Sequence, residues 1–457
     1  MREEKDALGS AFVPDDRYYG ATTARSLKSF DIGWHRMPRP LIDALLLIKE
    51  AAAETNMELG LLSEEKGQLI LKAIHRITEE GFDEEFPLSL FQTGSGTQTN
   101  MNVNEVVANL ANEMAGSPRG KKSPIHPNDD VNLSQSSNDT FPTAMHVAIV
   151  MEWVNRLQPA LVAFRKELRE KTQSFEGILK MGRTHLMDAV PIALSQEFSG
   201  YVAQADQNLY RLEAVLPHLM ELPLGGTAVG TGLNAHPDFG RKAVEKLRAK
   251  TSIPFVQAPN LFQGLSSKDP FVFASGAVKT LACSLIKLAN DIRWMGSGPR
   301  AGLQELILPA NEPGSSIMPG KVNPTQCESL TMVATHVFGN DTSLGMAASG
   351  GNFELNVYMP LIFYNLYESV VLISDGMDSF RTHLLKGLKA NIKQMRKHLE
   401  NSLMLVTALV PAIGYDQAAK AARIAHVEEK SLKEVVLSLG LLDEATYDTL
   451  VRPENMI

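Results

Sequence analysis

Apolar residues recur three and four positions apart over three stretches of 25 to 30 residues, Thr143 to Thr172, Ile192 to Leu216 and Pro270 to Met295. That period lines the face of an α-helix. At 1.5 Å per residue such helices run about 40 Å end to end, and helices of that length usually lie side by side in a bundle. Their apolar residues fall on more than one face, as an obligate oligomer needs. Upstream the pattern is shorter. Ser63 can cap a helix with Glu64 and Glu65 in its first turn, with Leu69, Ile70, Ala73, Ile74 and Ile77 at helical spacing and Gly81 as its stop. Beyond "PAIGYD" (Pro411 to Asp416) small helices are predicted, with Ser431 and Glu434 forming a capping box and Gly440 a stop. The chain therefore reads as mainly α. It divides into an N-terminal mixed helical domain (1–135), a central long-helix bundle domain (136–393) and a small C-terminal helical domain (394–457).

Between the helices the pattern breaks into loops dense in Ser, Thr, Asn and Gly: "TGSGTQTN" (Thr93 to Asn100), "HPNDDVNLSQSSND" (His126 to Asp139), "GRTHLMDAVP" (Gly182 to Pro191) and "GSSIMPGKVNP" (Gly314 to Pro324). The last has no helical or strand period. It is not a nucleotide P-loop, because five residues rather than four follow its first glycine and Val322 stands where a metal-binding hydroxyl is required. Its plain reading is a Gly/Ser/Pro surface loop with an incidental lysine. The other loops change that picture. Ser95, Thr97, Ser136, Ser137, Asn138, Thr184 and Asn323 are short hydrogen-bonding side chains, with Lys321 as the one cation beside them. Many neutral donors with one or two cations suit a compact dicarboxylate, since full neutralisation by several arginines would hold product too tightly. Any one of these residues taken singly is more simply a turn residue or a helix cap. His185, read as lying at the start of a helix, is a candidate for proton traffic. Glu328, in the first turns after Pro324, is either its orienting partner or an ordinary acidic residue near a helix N-terminus.

Composition narrows the classes. The chain has 457 residues, enough for roughly two to four domains or one elongated unit. It is 44% hydrophobic and 21% charged, as ordinary globular proteins are. Forty-four Lys and Arg against 52 Asp and Glu leave a net charge of -8 and no basic stripe, which argues against a nucleic-acid partner. Cys283 and Cys327 read as buried free thiols of a reducing compartment, without a disulfide or zinc-ligand spacing. "MREEKDALGS" is not a secretory signal, and the longest uncharged run, Phe86 to Asn104, is too polar to span a membrane. A cytoplasmic location is the expectation.

"GSSIMPGKVNP" resembles the shared loop of the fumarase/aspartase superfamily, and the chain as a whole is similar to class II fumarases. The similarity runs from "RYYGATTARSL" (Arg17 to Leu27) through "QTGSGTQTNMNVNEV", "HPNDDVNLSQSSNDTFPTAMH", "GRTHLMDAVP" and "GNFELNVYMP" to "NSLMLVTALVPAIGYDQAA". The resemblance implies a three-domain chain whose long helices join a core of about 20 helices in a homotetramer, with active sites drawing loops from several subunits. It also implies the reversible hydration of fumarate to L-malate, a step of the tricarboxylic acid cycle, without metal or cofactor. On that reading Ser315 is the base at carbon, Lys321 and Asn323 stabilise the carbanion with Ser316 alongside, and His185 with Glu328 handles water. Ser95, Gly96, Thr97, Ser136, Ser137, Asn138, Thr184 and Val322 complete the substrate contacts. His126, Pro127, Asn128 and Asp129 resemble a secondary dicarboxylate site. There many relatives carry a basic residue at the position of Ser123, and the same stretch also reads as a simple Asx-type loop. Aspartase is the near alternative, but aspartases usually carry Gln at the position of His185, Thr at that of Ser137 and Ala at that of Gly320. A non-catalytic structural homologue would be expected to have lost Ser315, Lys321 or His185.

Overall fold

The computed structural model describes residues 1–457 and is built almost entirely from helices. Five long helical segments dominate: 137–174, Leu194–Leu219, Asp269–Met295, Thr325–Ala348 and Met359–His383. The first runs on through a π-helical turn, Trp153–Leu157. The three segments expected from periodicity are present, and two more join them. Those two are interrupted by polar residues and glycines, Thr335, Gly339 and Asn340 in the first and Asn365, Ser369 and Gly376 in the second, so their apolar period is weaker in the sequence.

The chain forms two compact units, and their boundaries fall inside or between the pieces of these long helices. The first comprises Met1–Gln158, Tyr210–Thr280 and His336–Ile373. It opens with an antiparallel hairpin, Arg2–Asp6 paired with Gly9–Val13, which the helical reading did not foresee. The helix Glu64–Glu80 is bounded as its sequence predicts: Ser63 Oγ accepts the Lys66 N–H, and Gly81 turns left-handed at φ +82°. The helix Arg39–Glu58 lies against Ser137–Glu152 and Phe239–Thr251. Its outer edge carries Glu50, Glu54 and Glu58, paired with Lys242, Lys246 and Lys250.

At the centre of this unit, the helix Thr97–Met114 buries a row of asparagines among Val103, Val106, Val107 and Leu110. Three of these amides are spent on neighbouring backbone: Asn102 donates to Glu85 O, Asn109 to Tyr18 O, and Asn112 both donates to Ile125 O and accepts its N–H. Buried Glu105 accepts three N–H groups at the start of the helix Ala21–Ser29, from Gly20, Thr22 and Thr23. Buried polar groups with partners of this kind hold irregular segments in register where apolar contacts cannot.

The second unit comprises Pro159–Leu209, Leu281–Thr335 and Ser374–Ile457. Its C-terminal helices enclose a separate apolar cluster that includes Leu405, Leu409, Ala421, Leu432, Val436 and Tyr447, together with Met181. The predicted capping box is present, with Ser431 Oγ accepting the Glu434 N–H and the Glu434 carboxylate accepting the Ser431 N–H. Leu179–Thr184 and Met187–Ala193 pair as an antiparallel hairpin. Both cysteines are free, but only Cys327 is buried. Cys283 is exposed on Asp269–Met295, because the apolar surface of that helix extends beyond the face buried within the chain.

Candidate active site

Three of the four polar loops lead into helix N-termini. Ser95 and Gly96 precede Thr97–Met114, Ser136 caps Ser137–Glu152, and Asn323 and Pro324 precede Thr325–Ala348. Unpaired N–H groups and the helix dipole favour an anion at such ends.

In the first unit, Ser95 Oγ and Thr97 Oγ1 are 2.8 Å apart and share one hydrogen bond. Gly96 between them has φ +70°, and a Cβ there would come within 2.2 Å of the Phe141 ring, so only glycine fits. Ser136 is a true helix cap: its Oγ accepts the Asn138 N–H at 3.2 Å and its own N–H donates to Asp139 at 2.9 Å. Ser137 Oγ accepts from Asn100 Nδ2 at 2.9 Å, and Asn138 Nδ2 donates to Ala228 O at 2.8 Å. Because the Ser136 and Ser137 oxygens already accept, their hydroxyl protons remain available to an anionic ligand. Asp139 is fully buried, and its Oδ2 accepts the N–H groups of Gly225 and Thr227 at 3.0 and 2.9 Å. Burial pushes this carboxyl above its ordinary range, against the pull of those N–H groups and of Lys49. Burial likewise brings the Lys49 ammonium down to about 7, opposed by Asp139.

In the second unit, the structure corrects the placement of His185. It sits at the exposed tip of the hairpin, with His185 and Leu186 as the two turn residues, and the next helix begins only at Leu194. Strand pairing from Leu179↔Ala193 to Thr184↔Met187 overrides the helical reading of this stretch, and Pro191 disfavours helix there. Both turn residues are left-handed, at φ +56° and +62°, the two-residue hairpin geometry that usually takes Asn or Gly. A histidine held there stores backbone strain at a candidate reacting group. Thr184 is exposed beside it.

Behind the hairpin lies a charge cluster. Fully buried Glu305 accepts from Arg183 at 2.8 and 3.0 Å and contacts Lys180 at 3.2 Å and His398 at 3.4 Å, while Lys180 also reaches Glu197 at 2.8 Å. Two cations from the first hairpin strand are thereby anchored on one carboxylate. A cleft of about 370 Å³ beside the hairpin is lined by Lys180, Arg183, Leu186, Glu197, Tyr201 and Trp294, none of them among the expected substrate contacts.

The loop 314–323 has no regular structure, as its composition predicts, but its neck is closed. The Gly314 N–H donates to Lys321 O at 2.9 Å and Asn323 Nδ2 donates to Gly314 O at 2.5 Å. Gly314 is required there, since a Cβ would lie 2.5 Å from Lys321 O. Ser315 Oγ accepts two backbone N–H groups, from Ile317 at 3.3 Å and Met318 at 3.1 Å. Ser316, Lys321 and Val322 are exposed. Glu328 lies in the first turn of Thr325–Ala348 as expected, and no hydrogen bond joins it to His185 within the chain.

Pro127, Asn128 and Asp129 lie in a π-helical turn, Pro127–Val131, that His126 caps, rather than in a plain Asx loop. His126 Nδ1 accepts the N–H groups of Asn128 and Asp129 at 3.2 and 3.1 Å and lies 3.3 Å from Asp129 Oδ2. Lys122, near the place where a basic residue was missing, is engaged with Lys5 O.

Comparison with known proteins decides the family. The profile of the lyase family matches residues 9–339, and that of the fumarase C C-terminus matches residues 405–457. The fumarate hydratase class II of Thermosynechococcus vestitus is 56% identical over 100% of this chain and 98% of its own length. That of Neisseria meningitidis is 54% identical over 100% and 99%. A class II fumarase crystal structure from Schistosoma mansoni superimposes with a TM-score of 0.97 at 44% identity, covering 100% of this chain and 98% of its own. The chain belongs to the class II fumarate hydratase family.

For a class II fumarate hydratase chain, sequence reasoning passed over Lys49, Asn100 and Asn132, the groups behind the serine loop. Lys49 did leave a signal, as the one charge within "LIDALLLIKEAAA" that falls on the apolar face of its helix.

Proposed function

We infer that the chain catalyses the reversible hydration of fumarate to L-malate as a hydro-lyase, with Ser315 as the base at carbon. The observation that carries the assignment of Ser315 is the pair of backbone N–H groups on its Oγ. A serine hydroxyl is a weak base in water; two fixed N–H donors stabilise negative charge on the oxygen before the substrate arrives. In the dehydration of L-malate, Ser315 takes a proton from the carbon beside one carboxylate. The electron pair moves into that carboxylate, and the dianion receives hydrogen bonds from Lys321, Asn323 and Ser316. The hydroxyl on the neighbouring carbon then leaves as water, with its proton supplied at His185. Glu328 supports that imidazole.

Ser95, Gly96, Thr97, Ser136, Ser137, Asn138, Thr184 and Val322 hold the two carboxylates, and free hydroxyl protons on Ser136 and Ser137 suit that role. His126 to Asp129 form an accessory dicarboxylate site. A homotetramer that gathers loops from several subunits is supported by the apolar surface left on the long helices. The most apolar window of Asp269–Met295 has mean hydropathy 1.5 with only half of it buried within the chain, and Met332 and Met346 are 67% and 73% exposed. Two unpaired cysteines support a reducing, cytoplasmic setting. The test is the ultraviolet absorbance of fumarate released by chelator-treated protein from L-malate, with L-aspartate in parallel. Signal from malate alone is expected; signal from aspartate alone would replace the reading with an aspartase.

A further inference from the structure

The helix Arg39–Glu58 carries Lys49 into the protein interior, where it is fully buried and donates to Asn132 Oδ1 and Gln135 Oε1, both at 2.9 Å. Lys49 Nζ is the donor in both bonds, so both amides turn their oxygens toward it. The orientation then propagates. Asn132 Oδ1 also accepts from Asn100 Nδ2 at 3.1 Å and Asn104 Nδ2 at 3.2 Å, so each of these must present its NH2 group. The same Asn100 NH2 reaches Ser137 Oγ at 2.9 Å. Ser137 can only accept there, and its own proton is left for a ligand.

Two further observations support this direction of control. The Oδ1 atoms of Asn100 and Asn104 are buried without a hydrogen-bond partner, so the two side chains gain nothing at that end from the orientation they adopt. Asn132 imposes it, and Lys49 stands behind Asn132. The amide nitrogens released by Lys49 also tie down the loop that leads to Ser136: Asn132 Nδ2 donates to Gln135 O, and Gln135 Nε2 donates to Val131 O and Leu133 O. The charge of Lys49 is offset by buried Asp139 at the start of the next helix, so its contribution is to orientation rather than to net attraction.

We propose that Lys49 is a positioning residue of the dicarboxylate site: through Asn132 and Asn100 it sets Ser137 as a hydrogen-bond donor toward the substrate. This rests on the fumarate hydration reading. Replacing Lys49 by Met frees Asn132 and Asn100 to reverse, and Ser137 can then spend its proton inside the protein.

The experiment compares wild type, Lys49→Met, Ser137→Ala and the double variant by KM and kcat for fumarate and L-malate, and by competitive inhibition with succinate, a non-reacting dicarboxylate. Lys49→Met is expected to raise KM and the succinate inhibition constant by about tenfold while kcat changes little. In the Ser137→Ala background the same change should add less than about twofold, because the relay has lost its end. Losses that multiply, or an unchanged KM in a folded Lys49→Met enzyme of wild-type oligomeric state, would overturn the proposal. If Lys49→Met does not fold, Asn100→Leu breaks the relay one step nearer the ligand, and an unchanged KM there overturns it equally. Wild type without fumarate hydration would remove the functional reading instead. Calorimetric binding of succinate to wild type and variant would then still decide the relay, through a roughly tenfold weakening or none.

Discussion

At Ser315 a hydroxyl accepts two backbone N–H groups on a loop whose neck is closed by Gly314, Lys321 and Asn323, and at His185 an imidazole projects from a left-handed hairpin turn. Under the proposed mechanism each arrangement serves one proton transfer, and each depends on atoms the group itself does not supply. Ser315→Ala removes the oxygen on which those donors converge, and His185→Asn removes the titratable ring while tolerating the left-handed turn at least as well. Both variants are expected to lose at least about a hundredfold in kcat with the oligomer intact, as measured by malate turnover beside size-exclusion chromatography. Normal turnover in either would end that residue's assignment. Ser136 and Ser137 of the first unit follow a different rule, because their oxygens accept hydrogen bonds from within the chain, and under the proposed function their protons are what they offer a ligand.

Helices in this chain serve as mounts for loops, and their interiors contain polar groups whose protonation is tied to folding. His146, within Ser137–Glu152, is buried with Nδ1 2.8 Å from Leu219 O and its ring edge-on to Phe271. Burial pulls its pKa down from 6.5 to about 4. The sign follows from linkage: between these values the unfolded chain binds a proton that the folded chain refuses, so the stability is fully present above pH 6.5 and is lost as pH falls toward 4. The contribution is of the order of 3 kcal/mol. Thermal unfolding midpoints are expected to drop across this window in wild type and to drop less in His146→Gln. An identical pH slope in the two proteins would show that His146 is not the group responsible. The hairpin that carries His185 is mounted differently, on the salt-bridged Glu305, where the cost of burying charge is offset by several partners at once.

For the whole molecule, the long helices have more apolar surface than one chain covers. Met332→Glu, on the exposed side of Thr325–Ala348, is expected to shift the protein to smaller species in light scattering and, under the proposed homotetramer with shared sites, to reduce turnover in step. An unchanged mass would place Met332 outside the interface. The same scale separates what was legible in the sequence from what was not. Local patterns sufficed for the helix from Glu64 to Glu80, for the Ser431 capping box, for three of the five long helices and for the irregular course of the loop 314–323. These rest on interactions between residues three or four apart, which any stretch of chain makes with itself. The turn at His185, the exposure of Cys283, the two donors on Ser315 and the buried line from Lys49 to Ser137 were not legible. Each depends on groups whose order in the chain says little about their distance in space: strand partners, the covered side of a helix, a loop folded back on itself, and an ammonium 83 residues from the amide it orients. Residue identity along the chain determined which chemistry was present; tertiary packing decided which way each donor points, because a hydrogen bond acquires direction only when both of its partners are in place.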